Sequence, residues 1–114
     1  MDKKLPQLFG KLPKTPYGIK EIPAYKAAKE TTAYYWPPST SGDRIGYYYV
    51  NTSQLNQRPL YEVEALSFHE AVPGHHLQLA LQKEIKDIPK FRSLESPTVF
   101  VEGWALYAES IAKD

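Results

Sequence analysis

SFHEAVPGHH, residues 67–76, holds all three histidines of the chain, His69, His75 and His76, with Glu70 directly after the first. Imidazole nitrogens bind metal ions, and a carboxylate held beside such an ion can take a proton from water. The zinc-binding spacing H-E-x-x-H works because an α-helix turns about 100° per residue, so side chains at i and i+4 can meet one ion. Here the fourth residue after His69 is Pro73, and the next two histidines fall late. In an ideal helix His75 lies about 240° round from His69. His76 lies on the right face but about 10 Å further along the axis than His69.

Pro73 and Gly74 offer a resolution. Proline has no N–H, so the carbonyl of His69 loses its usual donor. Glycine accepts backbone angles closed to other residues. The pair predicts a bulge or kink that absorbs two residues and returns His75 to the place of the i+4 histidine. His76 then points elsewhere, towards substrate or a ligand's partner. Zinc needs a third protein ligand. FVEGWALYAE supplies Glu102 early in a helical stretch, with Glu109 seven residues on and on nearly the same face.

The elements that must position these groups are legible in outline. Leu60, Val63, Leu66 and Phe68 follow Pro59, with Glu62 and Glu64 early, which predicts a helix to about Val72. HHLQLALQKEI (75–85) resumes it, KDIPKFRSLES connects, and PTVFVEGWALYAESIAKD forms a third helix with Trp104, Leu106 and Tyr107 in the core. RIGYYYVNTS (44–53) reads as a strand. IPAYKAAKETTAYYW (22–36) opens helical and turns β-like, PPSTSGD (37–43) is a loop, and 51–57 is a polar turn. Residues 1–29 are expected as an extended, proline-rich arm, and 30–114 as part of a larger domain. The fold class is α+β, mainly helical: a kinked HE…GH helix, a Glu-bearing helix and a short edge strand or hairpin.

Composition excludes several classes. Zero cysteines rule out disulfides and thiolate ligands, so a metal must take His, Asp, Glu or backbone oxygens. A net charge of +1 favours neither nucleic acid nor an anionic membrane. No apolar run is long enough for a transmembrane helix, and MDKKLPQLFGKLPKTP lacks a signal-peptide core. Ten prolines and nine tyrosines in 114 residues, and a chain that stops straight after a helical stretch, suggest a piece of a longer parent.

HEAVPGHHLQ followed by SPTVFVEGWALYAE, with RIGYYYVNTSQLNQRPLYEVEAL upstream, resembles the bacterial DUF885 family, whose members look like gluzincin-type zinc metallopeptidases. The resemblance covers roughly residues 30–114 and only the metal-site segment of that family. It implies Zn²⁺ held by His69, His75 and Glu102, with Glu70 as the general base that takes a proton from the attacking water. It also implies hydrolysis of a peptide bond. Gly74 before His75 fits the gluzincin habit of a glycine before the second ligand. Thermolysin-like members carry an acid four residues after the ligand glutamate, a position that Leu106 occupies here. Glu109 is either a solvated or structural carboxylate or a partner orienting a ligand histidine. The oxyanion donor is open: Tyr48 and Tyr49 are candidates within residues 47–49, although alternate strand residues face opposite ways. Residues 44–51 are the candidate edge strand for an extended substrate.

Blander readings stand beside these. Histidines in a kinked helix can be ordinary core side chains, and the tyrosines can be sheet packing. Arg44 and Arg58 can meet a peptide carboxylate or simply be solvated. The alternative to a peptidase is a metal-binding but non-catalytic domain, or a fragment whose helices support a partner.

Overall fold

A computed structural model describes residues 3–111. In order the chain forms α1 (Leu5–Leu8), β1 (Tyr17–Glu21), α2 (Ala24–Ala27), β2 (Ala33–Trp36), β3 (Gly46–Val50), α3 (Leu60–Glu70), α4 (His75–Glu84), α5 (Lys90–Leu94) and α6 (Thr98–Ile111). The fold is α+β with one small sheet.

The sheet has the order β1-β3-β2, with β1 parallel and β2 antiparallel to β3. The tyrosine-rich strand is therefore central. This corrects the expectation of an edge strand at 44–51. Both flanks of β3 are filled, one of them by β1, which comes from the segment expected as an extended arm. That segment also supplies Leu5, buried against Val72 and Leu77 beside Phe9, Leu12 and Trp104. Apolar side chains in 1–29 thus find the same core as the helices.

Alternation sorts the strand residues. On one face Ala33 and Tyr48 pack with Ala71 of the turn after α3, beside Val50 and Leu66. On the other face Tyr34 stacks on Tyr49 with ring centroids 4.9 Å apart. A Cβ on Gly46 would collide with the hydroxyl of Tyr35, so glycine there leaves room for the tyrosine opposite. Asn51 is no mere turn residue. It is 2% exposed, and its amide donates to the carbonyls of Ala27, Glu30 and Thr31 while its oxygen accepts from Ser53. It pins the loop that leads into β2.

Pro59 precedes α3 in an extended conformation, and Glu62 occupies the first turn, where the helix dipole favours an anion. The helix stops at Glu70, two residues short of the expected end. Ala71 leaves helical space, the Val72–Pro73 peptide is cis, and α4 begins at His75. The expected kinked helix is two helices joined by a tight turn. Ala71 N–H donates to Ser67 and His76 N–H to Ala71, so the turn keeps its backbone bonded.

α6 packs against α3 and α4. Ala105 and Ala108, both 0% exposed, let the backbones come close. Trp104 packs against Phe9 and donates its indole N–H to the Pro73 carbonyl at 2.7 Å. Leu106 and Tyr107, expected in the core, are more than half exposed; the alanine stripe takes the buried face and turns them outward.

Candidate metal centre

The turn sets the first two groups. His69 and Glu70 close α3, and His75 and His76 open α4. A Cβ on Gly74 would run into the carbonyl oxygens of His69 and Phe68. Only glycine lets the chain double back this tightly, and the doubling back brings the imidazoles of His69 and His75 to 4.7 Å between ring centroids. α6 then lays Glu102 across them.

One ligand atom each from His69, His75 and Glu102 lies within 4.8 Å of the others. His69 Nε2 is 3.2 Å from one carboxylate oxygen of Glu102, and His75 Nε2 is 3.7 Å from the other. Two ligands at zinc-like bond lengths in a tetrahedron stand about 3.4 Å apart. The donor set therefore fits such an ion. Half of the Glu102 side chain is exposed, so the cluster opens to solvent.

Hydrogen bonding strengthens the case. His69 Nδ1 lies 2.7 Å from Glu109 Oε1. A carboxylate accepts, so the ring proton is assigned to Nδ1, and the neutral ring carries its lone pair on Nε2. That lone pair faces Glu102. Acceptor facing acceptor is unfavourable unless a cation or a proton sits between them. Burial pushes the pKa of His75 down, the nearby His69 adds to this, and Glu102 opposes it. The net effect favours the neutral form of His75, the form that ligates. Its Nδ1 is buried with no partner among the described residues.

Glu70 is 6% exposed. Burial raises its pKa, His69 pulls it down, Glu102 pushes it up, and the backbone N–H of Tyr35 donates to it and pulls it down. A carboxylate so placed is a better base than an exposed one.

The remaining candidates divide. Glu109 holds His69. His76 is not free to coordinate: Nδ1 accepts from the Tyr35 hydroxyl at 2.7 Å, and the other side of the ring donates to the Thr15 carbonyl. Tyr48 is buried behind the turn, against Ala71, and contributes packing. Tyr49 lies on the opposite face of the sheet from Tyr48 and Ala71, stacked on Tyr34. Arg44 donates to the carbonyls of Pro37 and Ile45, and Arg58 to that of Ser53. Both arginines clamp loops. The residue that sequence reasoning missed is Tyr35, which meets Glu70 through its backbone and His76 through its hydroxyl. Its signal was the alternation in AYYW, which puts Tyr35 on the same face as Ala33.

Three helices and a turn that converge two imidazoles and a carboxylate beside a small sheet define an α+β chain with a candidate metal centre. The chain belongs to the family described as "Bacterial protein of unknown function (DUF885)", which matches residues 1–114. Among solved structures it is similar to the "putative lipoprotein" from Colwellia psychrerythraea, at 29% identity and a TM-score of 0.93. That match covers 98% of this chain and 19% of the other, so the chain spans about a fifth of that protein's length. No curated protein matches the chain.

Proposed function

We propose that the chain carries the catalytic metal site of a zinc-dependent peptidase. The observation behind this is the convergence of the lone pair of His69 Nε2, His75 Nε2 and the Glu102 carboxylate, with buried Glu70 next to His69. Zinc, when bound, polarises the scissile carbonyl and acidifies water. Glu70 takes the proton of the attacking water and passes it to the leaving amine. Its raised pKa suits both halves of that exchange. Glu109 fixes the ring of His69. An extended peptide has a natural berth at β2, the edge strand nearest the cluster, whose Tyr35 N–H already meets Glu70.

The test is metal content by mass spectrometry on full-length, untagged protein purified without chelator, beside His69→Ala, His75→Ala and Glu102→Ala. About one zinc per chain, lost in all three variants, supports the ligand set; undiminished zinc in any of them overturns it. Glu70→Gln should keep the metal and lower peptide hydrolysis by about 10²–10⁴-fold, the usual contribution of a general base. Bound zinc with no hydrolysis of any peptide would instead favour a non-catalytic metal domain.

A further inference from the structure

We infer that the cavity beside Glu102 receives a carboxylate of the peptide substrate, held by the ammonium of Lys83. This deepens the peptidase reading and rests on it. The cavity has a volume of about 520 Å³. Glu102 and Thr98 of α6 line one wall, Gln82 and Lys83 of α4 another, and Thr40 closes the end. It therefore joins the metal cluster to a single cation.

That cation lacks a countercharge. Lys83 Nζ donates to the Pro38 carbonyl, and no carboxylate lies within 4.0 Å of it among the described residues. Arg44 stands near enough to repel it, and Arg44 itself is spent on two carbonyls. Asp43 is the acid closest in sequence to this end, and Ser39 and Ser41 donate to it. Glu84 is turned to the backbone N–H of Lys14. Lys83 is exposed as a whole; partial desolvation and then Arg44 push its pKa down, as expected of an ammonium with no anion beside it. An incoming carboxylate would supply the missing charge.

The spacing fits a short leaving fragment. Lys83 is eight residues beyond His75, about 12 Å along α4, and helical side chains lean back towards the N-terminus. Extended peptide covers about 3.5 Å per residue. A carboxylate two or three residues beyond the scissile bond therefore falls in reach. A free C-terminus and an acidic side chain offer the same chemistry.

The experiment uses full-length, zinc-loaded protein with Glu70→Gln, which holds peptide uncut. Binding of a hexapeptide acid, its C-terminal amide, and an amide with glutamate near its end is measured by titration calorimetry. The same titrations are run with Lys83→Met and Lys83→Arg added. We expect the acid to bind at least tenfold tighter than the amide. Lys83→Met should bring that ratio within twofold, and Lys83→Arg should restore most of it. Equal binding of acid and amide, no binding of either, or a preference that survives Lys83→Met overturns the proposal. A glutamate-bearing amide that binds as tightly as the acid supports the site and names a side chain as the source. An acid preference lost with Lys83→Met, in a protein whose wild type cuts no peptide, sustains the carboxylate site while the peptidase reading falls.

Discussion

Glu109 shows how much a single contact decides. Its bond to His69 Nδ1 fixes the tautomer and aims Nε2 at Glu102. Partners of this kind are worth about 10–100-fold in metal affinity. Glu109→Gln keeps the shape but replaces the charged acceptor of Nδ1–H with a weaker neutral amide that can also present its NH₂ group. Zinc affinity, measured by competition with a chromophoric chelator, should fall by about that factor, with circular dichroism unchanged. At this scale the sequence was readable where chemistry is local. His69, His75, Glu102 and Glu109 stood out because each pairs a reactive group with a helical spacing. Tyr35 did not, because its role depends on which strand lies beside α3. Tyr49 misled for the same reason: a run of tyrosines cannot say which face of the sheet meets the helices.

Elements were legible wherever periodicity and punctuation agreed. The three main helices follow from Pro59, Pro73-Gly74 and Pro97. The sharpness of the turn at 71–74 did not follow, since a bulge and a clean break both begin with the same two residues. The order of the strands was also hidden. β1 pairs with β3 across 24 intervening residues, from Ile22 to Ile45, and no local pattern encodes that distance. Two glycines now make opposite predictions. Gly74→Ala forces a Cβ into the carbonyls of His69 and Phe68 and should destabilise by roughly 3 kcal/mol, with zinc lost as well. Gly103 lies inside α6, where an added methyl group would meet no neighbouring atom within 4 Å, so Gly103→Ala should stabilise by up to about 1 kcal/mol. Thermal unfolding of the two variants side by side checks the sign of each.

The whole molecule leaves several large apolar side chains uncovered. Its radius of gyration is 14.7 Å, against about 13 Å for a self-contained domain of this length. Leu60, Tyr61, Leu94 and Val99 are each at least 80% exposed. Where such side chains lie side by side they make surfaces that associate. The 114-residue chain alone should bind a hydrophobic dye and sediment as a concentration-dependent mixture, whereas a full-length family member should do neither. A monomeric, dye-silent short chain would contradict this. Zinc held as proposed by His69, His75 and Glu102 would tie the end of α3, the start of α4 and α6 together, so it should also stiffen the assembly. Free zinc at about 100 times its dissociation constant should add about 2.7 kcal/mol of stability, and a chelator should remove it.

The indole of Trp104 bonds to the Pro73 carbonyl, inside the turn that sets the two imidazoles. It thereby becomes an optical gauge of the cluster. The chain has two tryptophans, and Trp36 stands 54% exposed on the far face of the sheet. With Trp36→Phe in place, all indole emission comes from the helix that carries Glu102. Loss of the turn would free that indole to water and shift its emission to the red. Assembly of the centre can then be followed by light, second by second, with no substrate in the cuvette.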